Sequence, residues 1–95
     1  MTNRTRLATL RHMLFAMETE TGLTMLSPAQ RDIYYAACLL VYDADEIVNS
    51  DSLRDHPLLK DMPRSSFFRV LRELVGLGYL QATGSPRSGL YRVQK

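Results

Sequence analysis

Pro63-Arg64-Ser65-Ser66-Phe67-Phe68-Arg69-Val70-Leu71-Arg72-Glu73-Leu74-Val75-Gly76-Leu77-Gly78 carries two patterns at once. Phe67, Val70, Leu71 and Leu74 fall at i, i+3, i+4 and i+7, the spacing of one apolar helix face. The opposite face offers Arg64, Ser65, Phe68, Arg69 and Arg72. Pro63 suits a helix start and Gly76 and Gly78 suit its end, so a helix is expected over 63–76. It would bury one side and present cations and small hydroxyls on the other. After it, 79–83 and 90–93 read as strands around a turn, Gly84-Ser85-Pro86-Arg87-Ser88-Gly89, giving a hairpin over 79–94.

Upstream, Ser27-Pro28 opens a helix, with Ser27 as cap and Pro28 at the first helical position. Ile33, Tyr34, Ala36, Ala37, Leu39, Leu40 and Val41 make it apolar around much of its circumference, so it is expected to be the central helix and to stop near Tyr42. Ile47-Val48-Asn49 is β-prone. Ser50 then caps a short helix over 51–56, interrupted at Pro57, with Leu53, Leu58, Leu59 and Met62 expected to pack inward. The first helix spans 2–21 and stops at Gly22. Its Leu7, Leu10, Leu14 and Met17 form a seam at alternating spacings of three and four, which Met13 and Phe15 broaden or flank.

A chain of 95 residues fits one core, and 45% hydrophobic with 23% charged residues is ordinary for a folded domain. No apolar run is long enough to span a bilayer and no signal-peptide pattern follows the N-terminal arginines, so a cytoplasmic location is expected. The single Cys38 excludes an internal disulfide framework and a Cys-rich zinc site. Charge is unevenly spread: residues 1–26 carry +1, residues 27–62 carry −4 and residues 63–95 carry +5. A basic last third suggests a face directed at a polyanion.

The order helix, helix, short strand, helix, helix, hairpin resembles a winged helix-turn-helix domain of bacterial transcription regulators, including the MarR-like ones. The resemblance covers about 27–93 and rests on Ser65-Ser66-Phe67-Phe68-Arg69-Val70-Leu71-Arg72-Glu73-Leu74 followed by Gly78-Tyr79-Leu80. It departs from the pattern at 56–63, a longer and more Pro-rich linker than the usual turn. It implies a mainly α fold with a small β-hairpin wing (α+β), with 1–26 as an extra N-terminal helix and 27–95 as the winged domain. The implied function is sequence-specific binding of double-stranded DNA by a small regulator, with helix 63–76 in the major groove and hairpin 79–94 as wing. A wing-tip Arg, here Arg87 beside Ser88, would then enter the minor groove.

The side chains suit that role on physical grounds also. Ser65 and Ser66, near a helix N-terminus, suit phosphate oxygens. Arg69 is placed to reach a guanine edge or a phosphate, Arg72 a phosphate, and Phe68 a thymine methyl. Structural alternatives stand beside each: Ser65 or Ser66 as a helix cap, Arg69 paired with Glu73, Phe68 packed on its neighbours, Arg87 as a polar turn residue. A winged module that contacts protein, with Phe68 in an apolar patch, is the alternative function. The seam Leu7/Leu10/Leu14/Met17 is expected to form a homodimer, or else to lie across its own domain.

No catalysis, cofactor or metal is expected. His12 and His56 lack an evident carboxylate partner, and Cys38 falls in the apolar second helix. Asp43, Asp45 and Glu46 lack a calcium-loop pattern and read as a solvated helix end. No small-molecule effector is identified by the sequence; given the chain's size, a pocket for one is expected only where two copies meet.

Overall fold

The structure is a computed structural model that describes residues 2–41, 46–85 and 88–94. Helix α1 spans Asn3–Thr21. Thr2 caps it, its Oγ1 accepting from the Thr5 N–H at 3.2 Å, and Gly22 ends it in the left-handed conformation at φ 80°. Glu18 is its one buried residue. A short 3-10 turn, Leu23–Met25, leads to α2, Pro28–Leu40.

Helix α2 begins with a reciprocal cap. The Ser27 hydroxyl accepts from the Gln30 N–H at 3.2 Å, and Gln30 Oε1 accepts from the Ser27 N–H at 2.9 Å. Two otherwise orphaned donors are satisfied, and Pro28 has no N–H to lose. The helix buries Ile33, Tyr34, Ala36 and Ala37, and it ends where Val41 turns extended. Leu39 and Leu40 are exposed, so the apolar character of this helix is less fully used than its sequence suggests. The expected end at Tyr42, and Asp43 and Asp45 of the acidic run, lie outside the described residues.

Strand β1, Ile47–Asn49, leads directly into α3, Ser50–Arg54. Here the cap is Asn49, not Ser50: Asn49 Oδ1 accepts from the Ser52 N–H at 2.7 Å. Ser50 is instead the first helical residue, and its N–H donates to the Gly89 carbonyl at 2.8 Å. The helix also stops two residues short of His56. That residue is extended, as a residue before Pro should be, and its Nδ1 accepts from the Leu58 N–H at the start of the 3-10 turn Pro57–Leu59. In this tight turn successive side chains diverge, so Leu59 is buried while Leu58 stays in solvent, contrary to expectation. Leu53 is buried and Met62 half-buried.

Helix α4 spans Arg64–Leu77, one residue later at each end than expected. Pro63 occupies the cap position and Gly76 is inside the helix. Gly78, at φ 88°, is the true stop: its N–H and that of Tyr79 both turn back to the Leu74 carbonyl. Phe67, Val70, Leu71 and Leu74 are all buried.

Strands β2, Leu80–Thr83, and β3, Leu90–Val93, form the antiparallel hairpin, with Leu80 opposite Val93 and Thr83 opposite Leu90. Strand β1 pairs antiparallel on the other side of β3, Ile47 opposite Arg92 and Asn49 opposite Leu90, giving the order β1-β3-β2. A lone hairpin is marginal in water, and the third strand plus a helix beneath it remove that weakness. Val48, Leu80 and Val93 close the core from the sheet side over Ile33, Leu53, Phe67 and Leu71. The chain is thus mostly helical with a small three-stranded antiparallel sheet. No helix of the described residues is long and apolar enough to cross a membrane.

Candidate nucleic-acid interface

Burial of Phe67, Val70, Leu71 and Leu74 fixes how α4 is rotated, and so decides where its other side chains go. Helical geometry then sets Ser65, Arg69 and Arg72 along the outer ridge, and all three are exposed. Ser66 lies on the flank toward the core and is half-buried. Neither serine caps the helix; both lie within its first turn. Since Pro63 offers no capping side chain, the first-turn N–H groups remain open to an anion.

On the other flank, Arg64 and Phe68 turn toward the sheet. Phe68 meets Phe67 edge-to-face, with ring centroids 5.1 Å apart at 84°, so the buried Phe67 anchors the half-buried Phe68. The Arg64 guanidinium lies 5.2 Å from the Phe68 centroid, over its face. Arg64, Phe68 and Arg72 form one wall of an open cleft of about 430 Å³, whose other wall is Ser50, Asp51, Ser88, Gly89 and Tyr91. Four of the residues singled out by sequence therefore share one cleft: Arg64, Phe68, Arg72 and Ser88.

Gly89 holds the turn end of the hairpin at this cleft. Its carbonyl accepts from the Ser50 N–H, its φ is 65°, and a Cβ there would stand 2.9 Å from Ser50 Oγ. Only glycine meets both the angle and the approach. Ser88 is engaged within the turn: its hydroxyl donates to the Thr83 carbonyl at 2.7 Å and accepts from the Leu90 N–H at 3.4 Å. It shapes the hairpin, and its hydroxyl is not a free donor. Arg87 lies outside the described residues.

Arg69 has a different setting from Arg64 and Arg72. Its Nη1 lies 3.3 Å from Glu73 Oε2, and Glu73 Oε1 accepts from Gln30 Nε2 at 3.2 Å. A polar chain thus runs Arg69–Glu73–Gln30–Ser27, tying the outer ridge of α4 to the cap of α2. Arg72 makes no ion pair among the described residues. The sequence reading did not place Ser50, Asp51 or Tyr91 at this site. The β-prone character of 47–49 was the available signal, since pairing β1 with β3 brings Ser50 to Gly89.

The other singled-out groups are scattered. His12 is exposed on α1, His56 is committed to its turn, and Cys38 is half-buried in α2. Among the described residues no group of three or more His, Cys, Asp or Glu side chains could hold a metal ion. Leu7, Leu10, Leu14 and Met17 of α1 are 64%, 59%, 41% and 63% exposed, so the seam is not folded into the core of its own chain. The chain matches no known protein family, no curated protein and no solved structure.

Proposed function

We propose that the chain is a winged-helix module that binds double-stranded DNA, a small regulator similar in plan to the MarR-like proteins, with α4 entering the major groove and the β2–β3 hairpin acting as the wing. The observation that carries this is the meeting of Arg64, Phe68 and Arg72 on one open face beside the turn end of the hairpin. Side chains on the outer ridge would reach the groove, while the open first turn of α4 suits a phosphate. The cleft between helix and hairpin would follow the DNA backbone, with Arg64 and Arg72 supplying charge. Arg87, in the turn sequence, is the wing residue this reading assigns to the minor groove. The adaptor alternative would present Phe68 in an exposed apolar patch. Phe68 is instead half-buried beneath a guanidinium, which favours the polyanion.

The test is binding to mixed-sequence duplex DNA, followed by fluorescence anisotropy across a salt series. Wild type should bind more weakly as salt rises. Arg72→Ala should lower affinity at fixed salt by on the order of tenfold and flatten the log–log salt slope by about one, because one phosphate fewer is neutralised. Absence of binding at low salt, or an unchanged slope in both Arg72→Ala and Arg64→Ala, would overturn the proposal.

A further inference from the structure

Helix α1 is anchored at one end only. Glu18, 3% exposed, accepts a hydrogen bond from the Tyr35 hydroxyl and lies 3.8 Å from Arg31 Nε, both on α2. Arg11 lines the cleft beside these groups. In the heptad set by Leu7, Leu10, Leu14 and Met17, Arg4, Arg11 and Glu18 occupy one flank of the seam. Glu18 and Arg11 assign that flank to the rest of the chain. The other flank carries Arg6, Met13 and Glu20, all exposed, and neither Arg6 nor Glu20 makes an ion pair among the described residues. A helix of 19 residues is about 28 Å long, and its first half extends beyond the anchoring contacts with its apolar seam uncovered.

We propose that α1 pairs with α1 of a second copy of this chain, antiparallel and in one register. Leu7 then packs on Met17 of the second copy, Leu10 on Leu14, and Met13 meets its equivalent at the two-fold axis. The charges select this arrangement. In an antiparallel pair the free flanks face each other, so Arg6 meets Glu20 of the second copy, and symmetry makes this contact twice. In a parallel pair Arg6 would face Arg11 of the second copy, a like-charge contact, also twice. Antiparallel pairing sets the two anchored ends at opposite ends of the helix pair, and each unsupported first half lies on the other copy's supported second half. The pairing does not rest on the DNA reading, and its test contains no DNA.

The experiment is sedimentation velocity of the full chain over a concentration series, with circular dichroism to verify that each variant is folded. Wild type should show a concentration-dependent dimer. Arg6→Glu puts carboxylates against carboxylates, and Glu20→Arg puts cations against cations; each should weaken the dimer by on the order of tenfold. An equimolar mixture of the two single variants, and the double variant Arg6→Glu/Glu20→Arg, restore both opposite-charge contacts and should recover the dimer. A wild type that stays monomeric at every concentration overturns the proposal. So does an Arg6→Glu dimer as strong as wild type or stronger, the result a parallel pair gives, and so does failure of the mixture to recover.

Discussion

Helices α1 and α4 have the same kind of sequence signal and opposite fates. Leu7, Leu10, Leu14 and Met17 are as regular as Phe67, Val70, Leu71 and Leu74, yet the first four are exposed and the second four buried. Breadth does not separate them, since Met13 and Phe15 beside Leu14 widen the α1 stripe as Val70 beside Leu71 widens that of α4. Connectivity does. Helix α4 is followed at once by the hairpin through Gly78, which folds back onto it, while α1 is held to the rest by residues 22–26 and the Glu18 contacts. Periodicity specifies which face is apolar; what covers that face is set by the neighbouring elements.

The sharpest way to break this comparison is truncation in each seam. Leu74→Ala deletes a fully buried core side chain and should destabilise the fold by about 2–5 kcal/mol. In a domain this small that lowers the thermal midpoint by more than about 10 °C. Leu10→Ala, measured at concentrations where the chain is monomeric, should cost no more than about 0.5 kcal/mol, because the side chain already meets solvent. Equal destabilisation in thermal unfolding would show that the α1 seam has a partner within its own chain.

The same contrast explains how much was legible in the sequence. Local signals were: Ser27-Pro28, Gly22 and Gly78 each act where a cap or stop requires their chemistry, and the α4 spacing identified its buried face. Signals that depend on a distant segment were not. Asn49, not Ser50, caps α3, and the Ser50 N–H binds the carbonyl of Gly89, 39 positions away in sequence. At the candidate site the cations of α4 were identifiable, but their division was not. The flank of Arg64 and Phe68 faces the hairpin, and Arg69 is drawn toward α2 by Glu73, which itself binds Gln30. Its neighbour at i+4 was visible in sequence; the link to Gln30 was not.

A smaller effect should come from the contacts that hold α1. The buried Glu18 carboxylate depends on Tyr35 and Arg31. Tyr35→Phe removes a hydrogen bond to a charged group and should cost about 1–3 kcal/mol, read as reduced hydrogen-exchange protection in the last turns of α1. The pH dependence follows. Burial, then the hydrogen bond to Glu18, pushes the Tyr35 hydroxyl from its usual 10 up to about 12. The neutral phenol is thus favoured in the folded state. Its contribution is fully present below pH 10 and is lost as pH rises toward 12. Tyr34, pushed up to about 12 chiefly by burial, donates to the Gln94 carbonyl at 2.7 Å and titrates in the same range. An absorbance titration of Tyr35→Phe beside wild type separates them: the variant should lack one high-pH step, and protection of α1 should no longer fall between pH 10 and 12.

The smallest change is expected at Arg69, and it tests the comparison from the α4 side. Both helices join a glutamate to an arginine, but in different surroundings. The Glu18 side chain is 4% exposed, whereas Arg69 and Glu73 are 61% and 40% exposed. Water screens the exposed pair, and holding two long side chains offsets much of the attraction. Arg69→Ala should therefore change unfolding free energy in urea by no more than about 0.5 kcal/mol. Glu73→Ala should cost more, because Gln30 loses its acceptor at the α2 cap. The same pair ranks the cations for DNA. Arg69 must release Glu73 before meeting a phosphate or a base, while Arg72 has no ion pair to give up among the described residues. Arg69→Ala should then reduce DNA affinity less than Arg72→Ala in the same salt. The reverse order would mean that the Arg69–Glu73 contact opens on the DNA and that Arg69, rather than the arginines lining the cleft beside the hairpin, supplies most of the binding.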